Sequence, residues 1–544
     1  MKKTRVLLVI IMSLMVLIPS SSFFLPTYLT QLIKNEKHNS EQLGYAVKQG
    51  NIAALHFSAA LKDVGSKSWL TLKAELAKTQ GQAAYDLANW FVKKSEAPNT
   101  TEELLLWRNK AIMWFEQAIR LGSKSVKVKA KLALSQLYFN QNELLTAQLL
   151  LHDLTLAQTE QVKSDELAAL SVRALILQIN IAIALGQTKI VNKKLLDNQF
   201  LLSQSVDGRK LIEEIEQFRI LNTPRTTSVI TSNKETRFKL KKNQNLACPS
   251  SLQLFATNLK HLRHLEQLQL NFIRKPIADY ICLAKPRYIS KTMIACYDGD
   301  DTAIQCEESD WQEVAGSVDS RHIGLMVEKG GANVHLGMMY FDSQDTLDVF
   351  THEISHLLGF VDEYPIVKTH GSCQQVQSQP FSHNIAVLKK RYYGEQDQIR
   401  KELLISIPWA NLIRKTTSVL QQVEGQQKVW QLGTPESQKE QVGIFPAESC
   451  DNSIIAKRNN FSAFKPVTKR TQLRYYSSEF PKEYLTMLNE QFQRFIMPSF
   501  HYNIALALYQ QGAISEAKHW LEQAALWEKN AQRKKVILQG AYSY

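Results

Sequence analysis

The stretch FTHEISHLLGFVDEY, residues 350–364, constrains the fold more than any other part of the sequence. His352 and His356 lie four residues apart, so on an α-helix both imidazoles project from one face. Glu353 follows the first histidine, and Gly359 allows a sharp turn three residues after the second. The chain must therefore carry a helix here that ends in a tight turn.

This helix face has the residue types of a zinc site. Zinc takes imidazole nitrogens as ligands, and a glutamate beside the first histidine can act as general base on a zinc-bound water. That is the arrangement of H-E-x-x-H peptidases. The sequence predicts Zn²⁺ on His352 and His356, with Glu353 as the catalytic base.

Three residues are candidates for the third metal ligand. Asp362 comes ten residues after His352 and is the first choice, because a carboxylate oxygen is a good zinc ligand. Glu363 is the second choice and faces elsewhere, and His370 is the third and most distant.

The N-terminus has the layout of a secretory signal. Lys2, Lys3 and Arg5 precede an uncharged run over residues 6–18. Cleavage is one alternative. The other is a retained inner-membrane anchor over residues 1–25, since about 20 apolar residues span a bilayer. Both alternatives predict an exported protein, periplasmic or secreted.

The cysteines agree with export. There are six, an even number, and an oxidising compartment favours disulfides. Cys296 and Cys306 flank a predicted turn between strands and are the first predicted pair. Cys373 and Cys450 bracket the segment after the histidine motif and are the second.

The formal charge of +14 is that of a basic protein. A solvated basic surface accounts for this charge most simply. No basic cluster with interleaved aromatic residues is present, so nucleic acid is not a predicted partner.

Residues 40–220 predict a helical domain. Ala111, Phe115 and Ala118 fit the A-x3-F-x2-A spacing of a tetratricopeptide hairpin, and the recurrence 36 residues later at Ala147 also resembles Sel1-type repeats. The alternative is an irregular helical bundle. Repeats of this kind favour a protein partner.

The fold class predicted for the whole chain is α+β. A polar linker, 221–245, precedes a metal-binding α+β domain over 246–495, and a helical hairpin over 496–544 follows it. In the middle domain, residues 250–264 predict a helix. Four segments predict strands: LQLNFI, KTMIACY, HIGLMVE and NVHLGMMYF.

The histidine motif resembles the metzincin signature H-E-x-x-H-x-x-G-x-x-H, with Asp362 in place of the third histidine. Its Asp-Glu-Tyr ending resembles the bacterial IgA-protease-type zinc peptidases. IPWANLI with Trp409, QVGIFPAESC and FKPVTKRTQLRYY resemble three further segments of that family. The resemblance covers about residues 290–480 and implies a metzincin-like zinc peptidase domain.

The chain departs from that family at three positions. Pro446 replaces a glutamate, Thr471 replaces a cysteine, and Leu473 replaces the methionine that lies under the metal. Met497, in FIMPSF, is an equal alternative for that supporting position.

Three functions are compatible with these patterns. The first is an exported zinc endopeptidase that hydrolyses peptide bonds in a peptide or protein substrate. The second is a helical-repeat scaffold with a structural metal site, and the third is a zinc amidase acting on cell-wall peptide. Glu353 favours an enzyme, because a structural site does not need a general base.

Overall fold

The computed structural model describes residues 24–152, 165–221, 249–297 and 302–542. The apolar run of the predicted N-terminal segment and nearly all of the predicted linker lie outside these ranges. The described chain mixes helix and sheet, with a helical N-terminal region and a helical C-terminal end. Within the described ranges, no helix combines the length and the apolar character needed to cross a membrane.

The chain divides into two compact units. The helical unit comprises Met1–Ile181 and Lys194–Arg209, and the sheet unit comprises Ala182–Lys193 and Lys210–Tyr544. Helix is present from residue 24, earlier than the predicted start at residue 40.

The helical unit is built from consecutive helices with small residues at their contacts. Ala111, Phe115 and Ala118 are fully buried on one face of α6, which is where the repeat-like spacing predicts them. The described helices wholly within the helical unit are α1 (24–34), α2 (Ser40–Lys48), α3 (Ile52–Ala60), α4 (Lys67–Ala77), α5 (Gly81–Ser95), α6 (Thr101–Leu121), α7 (Lys124–Asn140), α8 (Leu144–His152) and α11 (Gln199–Ser203). Three more contribute residues to both units: α9 (Asp165–Ala184), α10 (Thr188–Asp197) and α12 (Val206–Gln217).

The main sheet of the sheet unit has the described strand order β2-β1-β6-β8-β7, and β3 also pairs with β1. All of these pairings are parallel except that of the edge strand β7, which is antiparallel to β8. The strands are β1 (Ser250–Ala256), β2 (Ile281–Leu283), β3 (Arg287–Tyr288), β6 (His322–Val327), β7 (Asn333–His335) and β8 (Met338–Asp342).

Smaller sheets complete the unit. Described strands β10-β12-β11, β13-β14-β9 and β4-β5 form them. Their bounds are β4 (Cys296–Tyr297), β5 (Gln305–Cys306), β9 (Ala386–Lys389), β10 (Arg391–Tyr393), β11 (Leu420–Gln422), β12 (Val429–Leu432), β13 (Phe445–Ala447) and β14 (Phe461–Lys465).

Two secondary-structure predictions at the start of this unit are wrong. Ser250–Ala256 is a strand and not the start of a helix, because a central parallel strand is buried on both faces and lacks an alternating pattern. The LQLNFI segment is the end of helix α13 (Leu259–Phe272) and not a strand. Leu265, Leu268 and Phe272 are buried at helical spacing there.

The other strand predictions agree with the structure to different extents. The strands predicted in HIGLMVE and NVHLGMMYF are present as β6 and as the β7–β8 hairpin. The KTMIACY segment is extended only at its end, in the short strand β4.

Eight further α-helices are described in this unit. They are α14 (Gln312–Ala315), α15 (Leu347–Leu357), α16 (Gln396–Ile405), α17 (Ile454–Arg458), α18 (Lys482–Phe495), α19 (Phe500–Gln510), α20 (Ile514–Leu526) and α21 (Ala531–Leu538). The predicted C-terminal hairpin is part of the same hydrophobic core as the sheet. Phe500 and Ile504 of α19 pack in one cluster with Ile323, Leu325 and Tyr340 of β6 and β8.

Candidate metal centre

Helix α15 carries the histidine motif and is fixed at both ends. The Thr346 side chain accepts a hydrogen bond from the backbone N–H of Val349 and caps its start. Phe350 packs edge-on against Phe341 of β8 and against the last residue of α13. After the helix, Gly359 has a φ of +95°, and a Cβ there would lie 2.3 Å from a backbone oxygen. The turn therefore requires glycine.

The structure brings three candidate ligand atoms to one point. The Nε2 atoms of His352 and His356 are 3.0 Å apart, and Oδ1 of Asp362 lies 3.1 Å and 3.2 Å from them. Ligands around a tetrahedral zinc ion stand about 3.3 Å from each other, given metal–nitrogen bonds of about 2.0 to 2.1 Å. The triangle therefore has nearly the size of one face of such a site.

Both imidazoles are held through their other ring nitrogen. Nδ1 of His352 lies 2.9 Å from the carbonyl oxygen of Gln472, and Nδ1 of His356 lies 3.0 Å from that of Phe360. A carbonyl oxygen only accepts, so each Nδ1 carries the proton. In the neutral tautomer this leaves both Nε2 lone pairs directed at the common point, as metal ligands require.

The common point attracts positive charge. Oδ1 of Asp362 is buried and meets no hydrogen-bond donor within the described residues. Burial lowers the pKa of His356, but the Asp362 carboxylate raises it to about 9. Burial also raises the pKa of Asp362, and the two histidines lower it far more, to well below its usual range. Either a proton or a metal ion between these groups relieves the repulsion among three electron-rich atoms.

Glu353 is buried beside this triangle. A ligand atom of Glu353 lies within 4.8 Å of one from each histidine. Burial raises the pKa of Glu353 to about 7, against the lowering effect of His356 and His352. Its carboxylate has no hydrogen-bond donor in the described part of the chain, so it is available to a water molecule.

Glu363, the second choice for third ligand, points away from the histidines. Its carboxylate is fully buried and lies 2.7 Å from Nζ of Lys465. Asn384 donates to it at 3.2 Å, and the Tyr484 hydroxyl donates a further hydrogen bond. These contacts give Glu363 a structural role. His370 is half-buried, and its Nδ1 accepts from the N–H of Ser372 at 3.4 Å.

Leu473 and Met497, the two residues predicted to support the metal, make different backbone contacts. Leu473 is fully buried, and its carbonyl oxygen accepts from the N–H of Glu363 at 3.0 Å. The preceding residue is the one whose carbonyl holds His352. The N–H of Met497 instead donates to the carbonyl of Leu357, at the end of α15. The turn with Leu473 is thus bonded to His352 and to Glu363, and Met497 is bonded to the end of the helix.

Two tyrosines beside His352 were not among the predicted site residues. The Tyr476 ring meets the His352 ring edge-on at 4.7 Å, and the Tyr364 ring is stacked at 6.2 Å. Burial raises the pKa of both phenols, and neighbouring carboxylates raise it further. The position of Tyr364 directly after the histidine motif could have indicated, from the sequence alone, that it lies near the site. Tyr476 gave no such indication, because it is far from His352 in the sequence and only folding brings the two rings together.

Both predicted disulfides are confirmed. Cys296 is bonded to Cys306 and Cys373 to Cys450. Cys282 is disulfide-bonded as well. Cys248 lies outside the described residues.

No protein-family model matches the chain, and no curated protein matches it.

Proposed function

We propose that this chain is an exported zinc-dependent endopeptidase. The observation that carries the proposal is the convergence of three metal-ligand atoms, from His352, His356 and Asp362, beside the buried carboxylate of Glu353. Two histidines and one carboxylate form a common ligand set of catalytic zinc sites, which keep a fourth position open for water or substrate.

A zinc ion held by these residues would act as a Lewis acid toward the scissile carbonyl and lower the pKa of water. Glu353 takes a proton from the attacking water on a carboxylate oxygen and passes it to the leaving amine. Burial raises the pKa of the Glu353 carboxyl, which makes it a stronger proton acceptor than an exposed glutamate. Tyr364 and Tyr476 keep their phenolic protons and can donate hydrogen bonds to a developing oxyanion.

Two features favour an enzyme over a scaffold with a structural metal site. A structural zinc site closes with four protein ligands, whereas the triangle of described atoms on which this proposal rests comes from three side chains. Glu353 also has no structural hydrogen bond or ion pair among the described residues, although burying a carboxylate is costly. A general base accounts for that placement.

Export is supported by the disulfides. Cys296–Cys306 and Cys373–Cys450 suit an oxidising compartment, periplasmic or extracellular.

The helical unit is proposed to bind a protein partner, and the N-terminal segment either is removed or anchors the chain to the membrane.

Metal analysis paired with a cleavage assay tests this function. The purified full chain should contain about one zinc per chain and should cut internal bonds in a mixed peptide library. Cleavage confined to cell-wall peptides would instead identify an amidase. A chain that binds zinc and hydrolyses neither substrate would contradict an enzymatic role.

A further inference from the structure

The backbone around Asp362 is held by a second segment, residues 448–450. The Ser449 hydroxyl donates to the carbonyl oxygen of Asp362 at 2.6 Å. The N–H of Ile366 donates to the carbonyl of Ser449 at 3.1 Å, and the N–H of Glu448 donates to that of Glu363 at 3.3 Å. The second segment therefore restrains the chain at Asp362 and in the residues that follow it.

A disulfide joins the same two stretches covalently. Cys450 follows Ser449 directly and is bonded to Cys373. Cys373 lies further along the loop that follows helix α15. The Ser453 hydroxyl donates to the carbonyl of Cys373 at 2.7 Å. Both cysteines are buried in a hydrophobic cluster that includes Val361. The disulfide thus ties the far end of the loop that carries Asp362 to the 448–450 segment.

This restraint matters because the proposed site needs Oδ1 of Asp362 close to both histidines. This oxygen lies 3.1 Å and 3.2 Å from their Nε2 atoms. With no metal ion between these atoms, an unrestrained loop could carry the carboxylate away from the histidines. A restrained backbone keeps the site ready for the metal and lowers the cost of binding.

We propose that the Cys373–Cys450 disulfide positions Asp362, so that the metal affinity of the site depends on the oxidation state of this cysteine pair. The inference rests on the proposed zinc site. A dithiol would reverse the restraint by supplying two electrons and two protons. The S–S bond breaks, two S–H bonds form, and the dithiol is oxidised to its own disulfide.

The chain supplies a matched control in its other described pair, Cys296–Cys306. We would compare Cys373→Ala/Cys450→Ala with Cys296→Ala/Cys306→Ala in the full chain, because dithiol reductants themselves bind zinc. Competition with a chromophoric chelator gives the zinc Kd. The visible spectrum of the Co²⁺-loaded protein reports the ligand geometry, which a loss of stability alone does not change.

The proposal expects the Cys373→Ala/Cys450→Ala variant to bind zinc at least about ten-fold more weakly, with an altered Co²⁺ spectrum, as when groups that orient metal ligands are lost. The control pair should leave both readouts unchanged. Equal weakening in both variants, or no weakening in either, would overturn it.

If the Cys373→Ala/Cys450→Ala variant does not fold, Ser449→Ala is the alternative test. It removes the hydrogen bond to the carbonyl oxygen of Asp362 and keeps the disulfide. A zinc Kd raised about three-fold or more supports the restraint, and an unchanged Kd in that case overturns it. A wild-type chain that binds no zinc would refute the proposed function itself. Wild-type binding with equal affinity in the Cys373→Ala/Cys450→Ala variant would refute this inference alone.

Discussion

The helical unit and the sheet unit differ in the kinds of side chain that they bury. In the described part of the helical unit, Ser135 is the buried polar side chain, and the rest of the core consists of aliphatic and aromatic residues, chiefly leucine and alanine. The sheet unit buries many ionisable side chains. They include His261, Arg321, His322, His352, Glu353, Glu363, His383, Lys465, His501 and Glu528.

This difference agrees with the proposed function, in which the sheet unit carries the catalytic residues. Burying a charge costs free energy unless it is paired, so a unit that needs only stability can use apolar contacts. In the sheet unit, Glu363 is paired with Lys465, and Arg321 with Glu528. Glu353 has no such partner in the described residues. It is therefore the buried charge that function, and not packing, explains best.

Glu353→Gln should have the largest effect. Glutamine keeps the shape of the side chain but cannot accept the proton, so we expect hydrolysis to fall about a thousand-fold with zinc still bound. Peptide cleavage rates and zinc content check this, with the exposed Glu440→Gln as the matched control. A variant that cleaves at nearly the wild-type rate would exclude Glu353 as the base.

Glu363→Ala should act on stability. It leaves Lys465 buried without its partner, and we expect unfolding to require about 4 kcal/mol less free energy. The double variant Glu363→Met/Lys465→Met removes both charges and should recover part of that loss. Denaturant unfolding measures both. If Glu363→Ala is as stable as the wild type, the buried network does not hold this loop.

Phe115→Ala tests the apolar side of the comparison. Its ring is fully buried in the helical unit, so we expect a loss of about 3 kcal/mol in the stability of that unit. Zinc content and cleavage rate should stay at the wild-type level. If zinc is lost as well, metal binding depends on the core of the helical unit, and the proposed difference between the two units is wrong.

Leu473→Met should have the smallest effect. Leucine and methionine have similar volumes, so we expect a change below about 1.5 kcal/mol in stability. The zinc Kd should hardly move, because the bonds from this turn to His352 and Glu363 come from backbone carbonyls. A large gain in zinc affinity would mean that the side chain itself is needed beneath the metal.

The helix with its two histidines could be predicted from sequence because its signals are local. The spacing of His352 and His356 and the turn at Gly359 depend on residues within one or two helical turns. The two described cysteine pairs also followed from segments that flank or bracket a turn or a loop.

The choice between Asp362 and Glu363 could not be settled locally. Glu363 is turned away by Lys465, which lies 102 residues further along the chain, and the His352 ring is fixed by a carbonyl 120 residues away. The strand Ser250–Ala256 was missed for a similar reason. Its pairing partners in β2 and β6 decide its conformation, and a pattern within seven residues does not contain them.

The zinc content of Asp362→Ala beside that of Glu363→Gln tests the central claim most directly. Both variants would be purified as the full chain, dialysed and analysed for metal per chain. The account predicts that Asp362→Ala loses its zinc, because two histidines alone hold the ion weakly, and that Glu363→Gln keeps about one zinc per chain. Zinc retained by Asp362→Ala and lost by Glu363→Gln would contradict it.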